Sequence, residues 1–522
     1  MNIKEELRDK YRIAPLTVNE RLKDETYLTV KHEDFIPACL ALHKLCHSPV
    51  LLMFAEDKRR TRSCYRLNTA FYAAAERHWF YVCLDFPGTD REFPSLAKEI
   101  YSASLFEREI WEMFGIRPDG SPDLRRARLH EEVWPEGYFP LRKDFQPPAA
   151  TAATGRSYDF IRGTGEGLFE IPVGPVHAGI IGPGHFHFSV AGEPIINLEI
   201  RLGFTHRGVE KIMEGKSLNE ALLLSERVAG DAAFAHSLAF CSAAEKIFGL
   251  TVPARAVLVR AVCLELERLY NHANDIGGIA LDVGFTFAAA FAAVMKETIL
   301  RLNETLSGSR YLKGVNIIGG VSRDIAERSA AALMPQLQSL VADLKELEEL
   351  LFGSASFMDR VDATGILRQK TAEDIGVTGL AARASGLPRD LRAGLEPYRS
   401  AGFQPVVLGT GDTLCRLKIR LLEFRQSAEL IADFLGRLVP GEISAGPAGL
   451  KEDFALGAIE GWRGPVLYWL KLDDHRNIER CKIVDPSFHN WEGLSFAVQG
   501  EIIPDFPLCN KSFDLSYSGN DL

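Results

Sequence analysis

Two histidines that alternate along a short β-type stretch are the first residues whose spacing suggests metal chemistry. His185 and His187 flank Phe186 in the run HFHFSV. Residues two apart on a strand share a face, and two imidazoles on one face suit a transition metal. No third ligand of matching character accompanies them, so we predict packing or hydrogen bonding for both rings and no metal.

Thiols are the second group that could bind metal or carry redox chemistry. The chain has nine cysteines, and no two of them form a C-x-x-C pair. Neither a redox dithiol nor a local thiolate metal site is therefore indicated. Free thiols in a reducing cytosol are the simplest interpretation.

A glycine-rich stretch, GTGEG at 163–167, resembles a nucleotide loop only superficially. It lacks the full spacing and the strand-to-helix context that would direct backbone N–H groups at a pyrophosphate. We interpret it as a turn. Because no dinucleotide fingerprint is present, NAD is not expected to contact this chain.

The composition is that of an ordinary globular protein long enough for more than one core. The chain has 522 residues, 46% hydrophobic and 25% charged, with a formal net charge of −10. These values exclude disordered, collagen-like and disulfide-framework classes, and they give no electrostatic reason for a nucleic-acid partner. The charged start MNIKEELRDK argues against export. Residues 276–295 come nearest to a membrane span, and we predict a buried core helix there.

The elements that position these residues divide the chain into two units of α+β type. Residues 1–145 mix β-type runs with a helical stretch over 94–114, which predicts a small α+β domain. Residues 146–157, QPPAATAATGRS, have the composition of a linker between separately packed units. Residues 158–522 form the larger domain.

The larger domain is predicted to be a mainly α-helical bundle with small β elements at its start and end. Short strands punctuated by Gly and Pro lead into helical segments with apolar residues at three- and four-residue spacing. These segments cover 217–249, 255–307, 322–353 and 412–438. The last 60 residues are expected to return to strands and turns.

Three stretches that close the first domain carry a resemblance to a known family. They are FEREIWEMFGI at 106–116, PDLRRARL at 122–129 and PLRKDF at 140–145. In this order and spacing they resemble the smaller of the two peripheral-arm subunits of respiratory complex I that flank the catalytic pair. That subunit has no cofactor of its own.

The second domain resembles the large subunit shared by complex I and the membrane-bound [NiFe] hydrogenases, including the formate hydrogenlyase type. The matching stretches are GPVHAG, PGHFHF, FTHRGVEK, SERVAGDAAFAHSLAF, LERLYNHANDIGGIALDVG, TGLAARASG, EFRQS and EGWRG. The resemblance spans nearly the whole chain. The fusion of the two units in one chain and the sequences PGHFHF and FAHSLAF favour the hydrogenase branch.

The resemblance implies a [NiFe] centre held by four thiolates, and this chain lacks all four. In the family they form two C-x-x-C pairs, and here the first pair is replaced by Ala229 and Ala232. The second pair, after the Asp-Pro step, is replaced by Ser487 and Asn490. Since an alanine methyl cannot coordinate a metal, we predict that the NiFe centre is absent.

The quinone chemistry that the resemblance implies for complex I is also incomplete. His177 of the GPVH stretch is present. The second histidine position falls on Ile181 and the tyrosine position on Gly230. Imidazole and phenol groups are what would hydrogen-bond a quinone and supply its protons. A quinone is kept as a candidate ligand of the emptied cavity, and no cofactor is expected to be bound by this chain itself.

The polar residues that remain in the matching stretches are expected near a partner's cluster or in the old cavity. His206, Arg207 and Glu210 lie where the family approaches the terminal [4Fe–4S] cluster of the small subunit, and Glu226 and Arg227 are expected to begin a helix whose dipole adds to the same field. Further charged residues should lie near the old cavity and pair among themselves, since unpaired buried charges are costly. They are Arg383, Asp412, Glu460, Arg463 and Asp485.

Three hypotheses for function follow from the resemblance. In the first, the chain belongs to a complex with an iron–sulfur small subunit and antiporter-like and quinone-site-type membrane subunits, on the cytoplasmic face of the membrane, and passes electrons without its own NiFe site. In the second, it is a quinone or other small-molecule reductase that uses the emptied cavity, with His177, His206 or His236 as proton donors. In the third, it is a non-catalytic scaffold.

Overall fold

A computed structural model describes residues 3–149, 153–163, 165–178, 181–446 and 449–522. The first unit contains a five-stranded sheet in the order β1-β2-β5-β4-β3, in which β2 and β5 are parallel and the other pairs antiparallel. The strands are β1 Thr17–Asn19, β2 Glu25–Val30, β3 Leu52–Lys58, β4 Cys64–Ala73 and β5 His78–Pro87. Strands β6 (Glu92–Pro94) and β7 (Arg117–Asp119) form a separate parallel pair.

Four helices complete the first unit and cover its sheet. They are α1 Ile3–Asp9, α2 Phe35–Cys46, α3 Arg59–Arg62 and α4 Ser104–Phe114. The prediction of helix over 94–114 is wrong in its first half, because α4 begins only at Ser104. The Ser95 hydroxyl and the Leu96 N–H donate to the carboxylate of Glu107, at 2.6 and 2.5 Å, which turns the chain before the helix starts.

The second unit opens with a three-stranded antiparallel sheet in the order β10-β9-β8. Its strands are β8 Leu168–Val173, β9 His185–Ala191 and β10 Ile195–Arg201. Three helices follow: α5 Val209–Met213, α6 Leu218–Ser225 and α7 Ala233–Phe248. Part of the predicted linker (residues 150–152), of GTGEG (residue 164) and of GPVHAG (residue 179) lies outside the described residues.

A helical bundle forms the centre of the second unit, as the apolar spacing predicts. Its long helices are α8 Ala254–Asp282, α9 Thr286–Ser307, α10 Glu327–Phe352 and α14 Thr413–Gly436, with the small pair β11 (Asn316–Ile317) and β12 (Gly320–Val321) between α9 and α10. Three short helices precede α14: α11 Ala355–Val361, α12 Gln369–Ile375 and α13 Gly379–Ala384.

The expectation of one core helix over 276–295 is wrong, because the chain turns between α8 and α9. Gly284 has a φ of +86°, a left-handed conformation that favours glycine, and it ends the first helix. The two helices then pack against each other as a hairpin. Among the described residues, no helix combines the length and the apolar character needed to cross a bilayer.

The C-terminal region contains more helix than the sequence predicts. An antiparallel sheet in the order β13-β14-β15 comprises Phe454–Glu460, Pro465–Leu472 and Ile478–Val484. Helices α15 Pro486–Ala497, α16 Phe506–Phe513 and α17 Tyr517–Asp521 follow where strands and turns were expected. Asp485 caps α15 and Pro486 occupies its first turn, a start signal that the sequence contained.

The apolar side chains of the first unit continue onto the C-terminal sheet. Leu456, Leu467 and Trp469 of β13 and β14 belong to the same buried cluster as the core of the first unit. The Trp469 indole donates to the Tyr27 hydroxyl at 3.0 Å, which joins the two units through a buried hydrogen bond. The overall architecture is α+β, and the domain boundary at 146–157 stays a prediction.

Candidate functional site

The first pair of lost cysteine positions lies in a turn between two helices. Helix α6 ends at Ser225, so the expectation that Glu226 and Arg227 begin a helix is wrong: Glu226 is the residue that follows α6. The chain then passes through a short turn at Gly230–Ala232 before α7 begins. Because α6 already ends here, its dipole presents a negative end, not a positive one, to this region.

The second pair of positions, Ser487 and Asn490, lies in the first two turns of α15, and both side chains hydrogen-bond to the backbone of other segments. The Ser487 hydroxyl accepts the N–H of Ser516 at 2.9 Å. The Asn490 side chain accepts the N–H of Thr378 at 2.9 Å and donates to its carbonyl at 3.2 Å. These two residues therefore fasten the C-terminal segment and the start of α13 to α15.

Polar contacts link the first segment to the start of α15, to β14 and to the turn between β13 and β14. His236 Nε2, one turn into α7, lies 3.1 Å from Asp485 Oδ2 at the start of α15, and its Nδ1 lies 3.0 Å from the Tyr468 hydroxyl. Asp231, between the two alanines, accepts both terminal nitrogens of Arg463, at 3.0 and 2.6 Å. Burial would raise the pKa of Asp485, but His236 and Arg463 hold it below its ordinary value.

An indole fills the space beside the two alanines. Trp462 is 1% exposed and forms a buried apolar cluster with Ala229 and Ala232. The Arg463 guanidinium lies over the same ring, 3.9 Å from its centroid. The EGWRG stretch was among the matching segments, but the roles of Trp462 and Tyr468 were not predicted, because the side chains they contact lie far away in the sequence.

This donor set does not fit a [NiFe] centre. Such a centre needs soft thiolates, and the four family positions offer two methyl groups, a hydroxyl and an amide. The nine cysteines lie elsewhere and, apart from Cys64, are buried. Within the described part of the chain, no three His, Cys, Asp or Glu side chains converge in a way that could hold a metal ion.

A second layer of buried charge lies next to Trp462. Arg383 contacts Glu460 at 3.0 Å and Glu423 at 2.8 Å, and all three side chains are at most 1% exposed. His272 Nε2 contacts the other oxygen of Glu423 at 2.9 Å and packs edge-on against Trp462. Burial raises the pKa of Glu460 to about 7, with Asp390 adding to the effect.

Asp412, another charged residue predicted to lie near the cavity, lies apart from these buried charges and stabilises local structure. Its carboxylate accepts the N–H of Cys415 at 2.7 Å as the cap of α14, and it accepts the N–H of Ala363 at 3.0 Å. Glu226 is likewise buried and accepts the N–H of Gly314 at 2.6 Å. Burial raises the pKa of Glu226.

The residues expected to face a partner's cluster divide into exposed and buried groups. Arg207 and Arg227 are exposed, and Arg207 donates to the carbonyls of Arg227, Val228 and Ser518. Glu210 is buried, and although burial would raise its pKa, Lys482 and Arg480 lower it to about 2.

The histidines named as proton donors have protein partners. His206 Nδ1 contacts the carbonyl of Asp521 at 2.7 Å, and burial lowers its pKa. His177 Nε2 contacts the carbonyl of Gly184 at 2.7 Å. In the family's other quinone positions, Ile181 and Gly230 are both exposed.

The two alternating histidines pack around one aromatic ring. Phe160 lies with its centroid 5.0 Å from His185 and 4.4 Å from His187. His187 Nε2 also lies 2.9 Å from a Glu170 oxygen. Both rings share a face of β9, as the alternation predicts.

Three parts of the chain match models of known protein families. Residues 28–151 match the 30 kDa subunit of respiratory-chain NADH dehydrogenase, and residues 282–450 match its 49 kDa subunit. Residues 207–274, which contain the first pair of lost cysteine positions, match nickel-dependent hydrogenase.

Individual relatives extend the similarity over nearly the full length. Formate hydrogenlyase subunit 5 of Escherichia coli is 32% identical, covering 96% of this chain and 89% of that protein. NADH-quinone oxidoreductase subunit 4 of Thermus thermophilus is 31% identical, covering 66% of this chain and 92% of that protein.

A solved structure with the same fold comes from a complex that is named for sulfur reduction. It is a chain of the membrane-bound sulfane sulfur reductase, an archaeal respiratory membrane complex, with a TM-score of 0.62 and 25% sequence identity, covering 68% of this chain and 99% of that chain. Sequence, family models and fold agree. The chain belongs to the family of complex I and membrane-bound [NiFe] hydrogenase large subunits, in the form that joins the 30 kDa-type and 49 kDa-type units in one polypeptide.

Proposed function

We propose that this chain is the large subunit of a membrane-associated oxidoreductase complex and carries no [NiFe] centre of its own. Electrons pass through a [4Fe–4S] cluster in an iron–sulfur small subunit that docks against it. Antiporter-like and quinone-site-type membrane subunits attach it to the cytoplasmic face and couple electron transfer to ion translocation. The relatives named for membrane-bound hydrogenase and respiratory complexes support this assignment.

The main observation behind the proposal is that the residues at all four ligand positions take part in packing or in hydrogen bonds with the protein. Ala229 and Ala232 pack on Trp462, while Ser487 and Asn490 hydrogen-bond to neighbouring backbone. These positions contribute to packing and to backbone hydrogen bonds. A chain that keeps the fold and builds a packed core at the former metal site is suited to positioning partners rather than to hydrogen turnover.

Two exposed arginines support the docking of an iron–sulfur partner. Arg207 and Arg227 lie at the surface next to the turn that contains Ala229 and Ala232. Iron–sulfur clusters are held by thiolates, and positive charge nearby stabilises their reduced form. The two guanidinium groups therefore suit an approach by such a cluster.

Metal analysis of the native complex tests the proposal. The chain, carrying an affinity tag, is purified with its partners from membranes of the host, and nickel, iron and acid-labile sulfide are measured per chain. We expect iron and sulfide from the partner and nickel far below one atom per chain. One nickel per chain would contradict the proposal.

The same preparation separates this proposal from the two other hypotheses. A reductase that uses the emptied cavity should lose quinone reduction when His177 and His236 are replaced by alanine in an intact complex. A pure scaffold should show no change in the partner's cluster potential when charged residues of the cavity are substituted. We expect the cluster potential to respond, because buried charges interact strongly in a low-dielectric interior.

A further inference from the structure

A fully buried ionic cluster lies next to the turn that carries Trp462. It combines three guanidinium groups with four carboxylates, drawn from helices α8, α13 and α14, from strand β13 and from the turn after α13. Each of these side chains is at most 1% exposed. The members are Arg268, Arg383, Arg392, Glu265, Asp390, Glu423 and Glu460.

The charge count of this cluster leaves one negative charge without a cation. Four carboxylates face three guanidinium groups, and an uncompensated charge in a protein interior is costly. One bound proton removes the imbalance. The groups that could carry it are the four carboxylates and His272, which contacts Glu423 at 2.9 Å.

Three of the four carboxylates contact more guanidinium groups than the fourth does. Glu265 lies against Arg268 and Arg392 and also accepts the Tyr398 and Ser427 hydroxyls. By contrast, among the described residues the Glu460 carboxylate contacts a single guanidinium, that of Arg383 at 3.0 Å.

Asp390 and Glu423 each lie against two guanidinium groups. Asp390 contacts Arg392 at 2.6 Å and Arg383 at 3.3 Å. Glu423 contacts Arg383 at 2.8 Å and Arg392 at 3.6 Å. The proton is therefore best placed on Glu460, whose second oxygen accepts only the N–H of Leu391 at 3.2 Å.

We propose that Glu460 binds an exchangeable proton near neutral pH and takes it up when negative charge arrives in the neighbouring partner. The second part rests on the proposed function: the partner's cluster accepts one electron from the reductant of the complex and becomes more negative by one charge, and the Glu460 carboxylate takes up one proton from the solvent and becomes the neutral acid. His272, joined to Glu460 through Arg383 and Glu423, is the alternative carrier.

The groups that face Glu460 come from several elements around it. They are Arg383 on α13, Asp390 and Arg392 in the following turn, Glu423 on α14, Arg268 on α8 and, from the first unit, the phenol of Tyr72 on β4. Burial, with Asp390 adding to it, raises the pKa of Glu460 to about 7, and burial lowers that of His272 to about 4. These directions agree with the geometric assignment of the proton.

Infrared spectroscopy of the full-length chain tests the proton on Glu460. Wild type and Glu460→Gln are titrated from pH 5 to 9, and their difference spectrum is followed in the carboxylic-acid C=O region. We expect a band that is present at pH 5 and lost by pH 9. The Glu107→Gln variant, which removes a buried carboxyl of the first unit, should leave this band unchanged. A difference spectrum without the band at any pH would overturn the proposal.

A second variant keeps the test decisive if Glu460→Gln does not fold. Glu460→Asp retains a carboxyl on a shorter side chain, so its acid band should remain and shift in frequency. A band identical to that of the wild type in position and titration would show that the proton belongs to another residue, which would overturn the assignment.

The assembled complex tests the link to electron transfer. The midpoint potential of the partner's cluster is measured from pH 6 to 8, and we expect it to fall with pH in the wild type and to be flat in Glu460→Gln. A flat potential in the wild type would overturn the linked uptake. A complex without any iron–sulfur cluster would instead contradict the proposed function, and the infrared result on the chain alone would stand.

Discussion

His236 and Asp485 join the two segments in which the resemblance places the family's metal ligands. Their side chains are 0% and 1% exposed, and Nε2 of the histidine lies 3.1 Å from the carboxylate. The histidine stands on α7 just after Ala232, and the aspartate stands just before Ser487. A direct polar contact thus connects the regions that four thiolates and two metals would otherwise bridge.

Removing one partner of this buried pair should destabilise the protein strongly. Asp485→Ala leaves His236 without its acceptor and also removes the cap of α15, so we expect a loss on the order of 3–5 kcal/mol in the free energy of unfolding. Urea unfolding at neutral pH measures it. The exposed Asp474→Ala is the matched control and should change stability by less than about 0.5 kcal/mol. Equal stability of the two variants would contradict the structural role.

Trp462 should be a major contributor to the packing of the former metal site. Trp462→Ala removes a buried indole that packs on Ala229 and Ala232, and such changes cost roughly 3–5 kcal/mol. Trp462→Phe keeps an aromatic ring and should cost less. Thermal unfolding of the three proteins gives the order wild type, Phe, Ala. An alanine variant as stable as the wild type would indicate that the indole does not fill this space.

Restoring the four cysteines should not restore a stoichiometric nickel site. The variant with cysteine at positions 229, 232, 487 and 490 keeps Trp462 beside two of them, and it loses the hydrogen bonds from Asn490 to Thr378. We expect lower stability and less than one nickel per chain by elemental analysis. Adding Trp462→Ala to this variant is the comparison that opens the space. One nickel per chain in the fourfold variant alone would show that the pocket had remained open.

Sequence patterns predicted the outline of the fold, but not the side-chain contacts made at the four positions where the resemblance implies metal ligands. Long apolar periodicities located α8, α10 and α14 because burial on one face leaves a regular trace in the sequence. The break at Gly284 and the helix after Pro486 were missed, although each follows a signal carried by a single residue, a glycine turn and a capped Pro start.

For the site residues, too, the sequence shows the residue types but not the contacts that they make. Charged residues in matching stretches could be named as candidates because their types are visible in the sequence, and their roles stay predictions. Trp462 and Tyr468 were missed because their roles depend on which side chains they meet in three dimensions. The grouping of Arg383, Glu423 and Glu460 joins residues up to 77 positions apart, and no local pattern encodes it.

An exposed arginine beside the former metal site should contribute to partner binding rather than to stability. Arg227→Glu reverses the charge at the surface next to the turn that contains Ala229, so we expect the iron–sulfur subunit to co-purify at a reduced level. Co-purification at rising salt measures the effect. Arg301→Glu, exposed on α9, is the control and should leave the partner bound. Equal recovery of the partner in both variants would argue against docking at this surface.

Glu107 should make the stability of the protein depend on pH in the neutral range. Burial raises the pKa of Glu107 to about 7. A carboxyl whose pKa is raised on folding stabilises the native state fully below its unfolded value near 4.5, and that contribution is lost as the pH rises through the folded value. Between pH 5.5 and 8.5 the free energy of unfolding should therefore fall, by an amount on the order of 2 kcal/mol.

The Glu107→Gln variant isolates this contribution because glutamine resembles the protonated acid and does not titrate. Its urea unfolding should change less between pH 5.5 and 8.5 than that of the wild type, while other buried carboxyls act equally in both proteins. The Ser95 hydroxyl and the Leu96 N–H, which donate to Glu107, can still find the amide oxygen as an acceptor. If the two proteins show the same pH slope, Glu107 is ionised throughout the range, and the hydrogen bonds from Ser95 and Leu96 outweigh its burial.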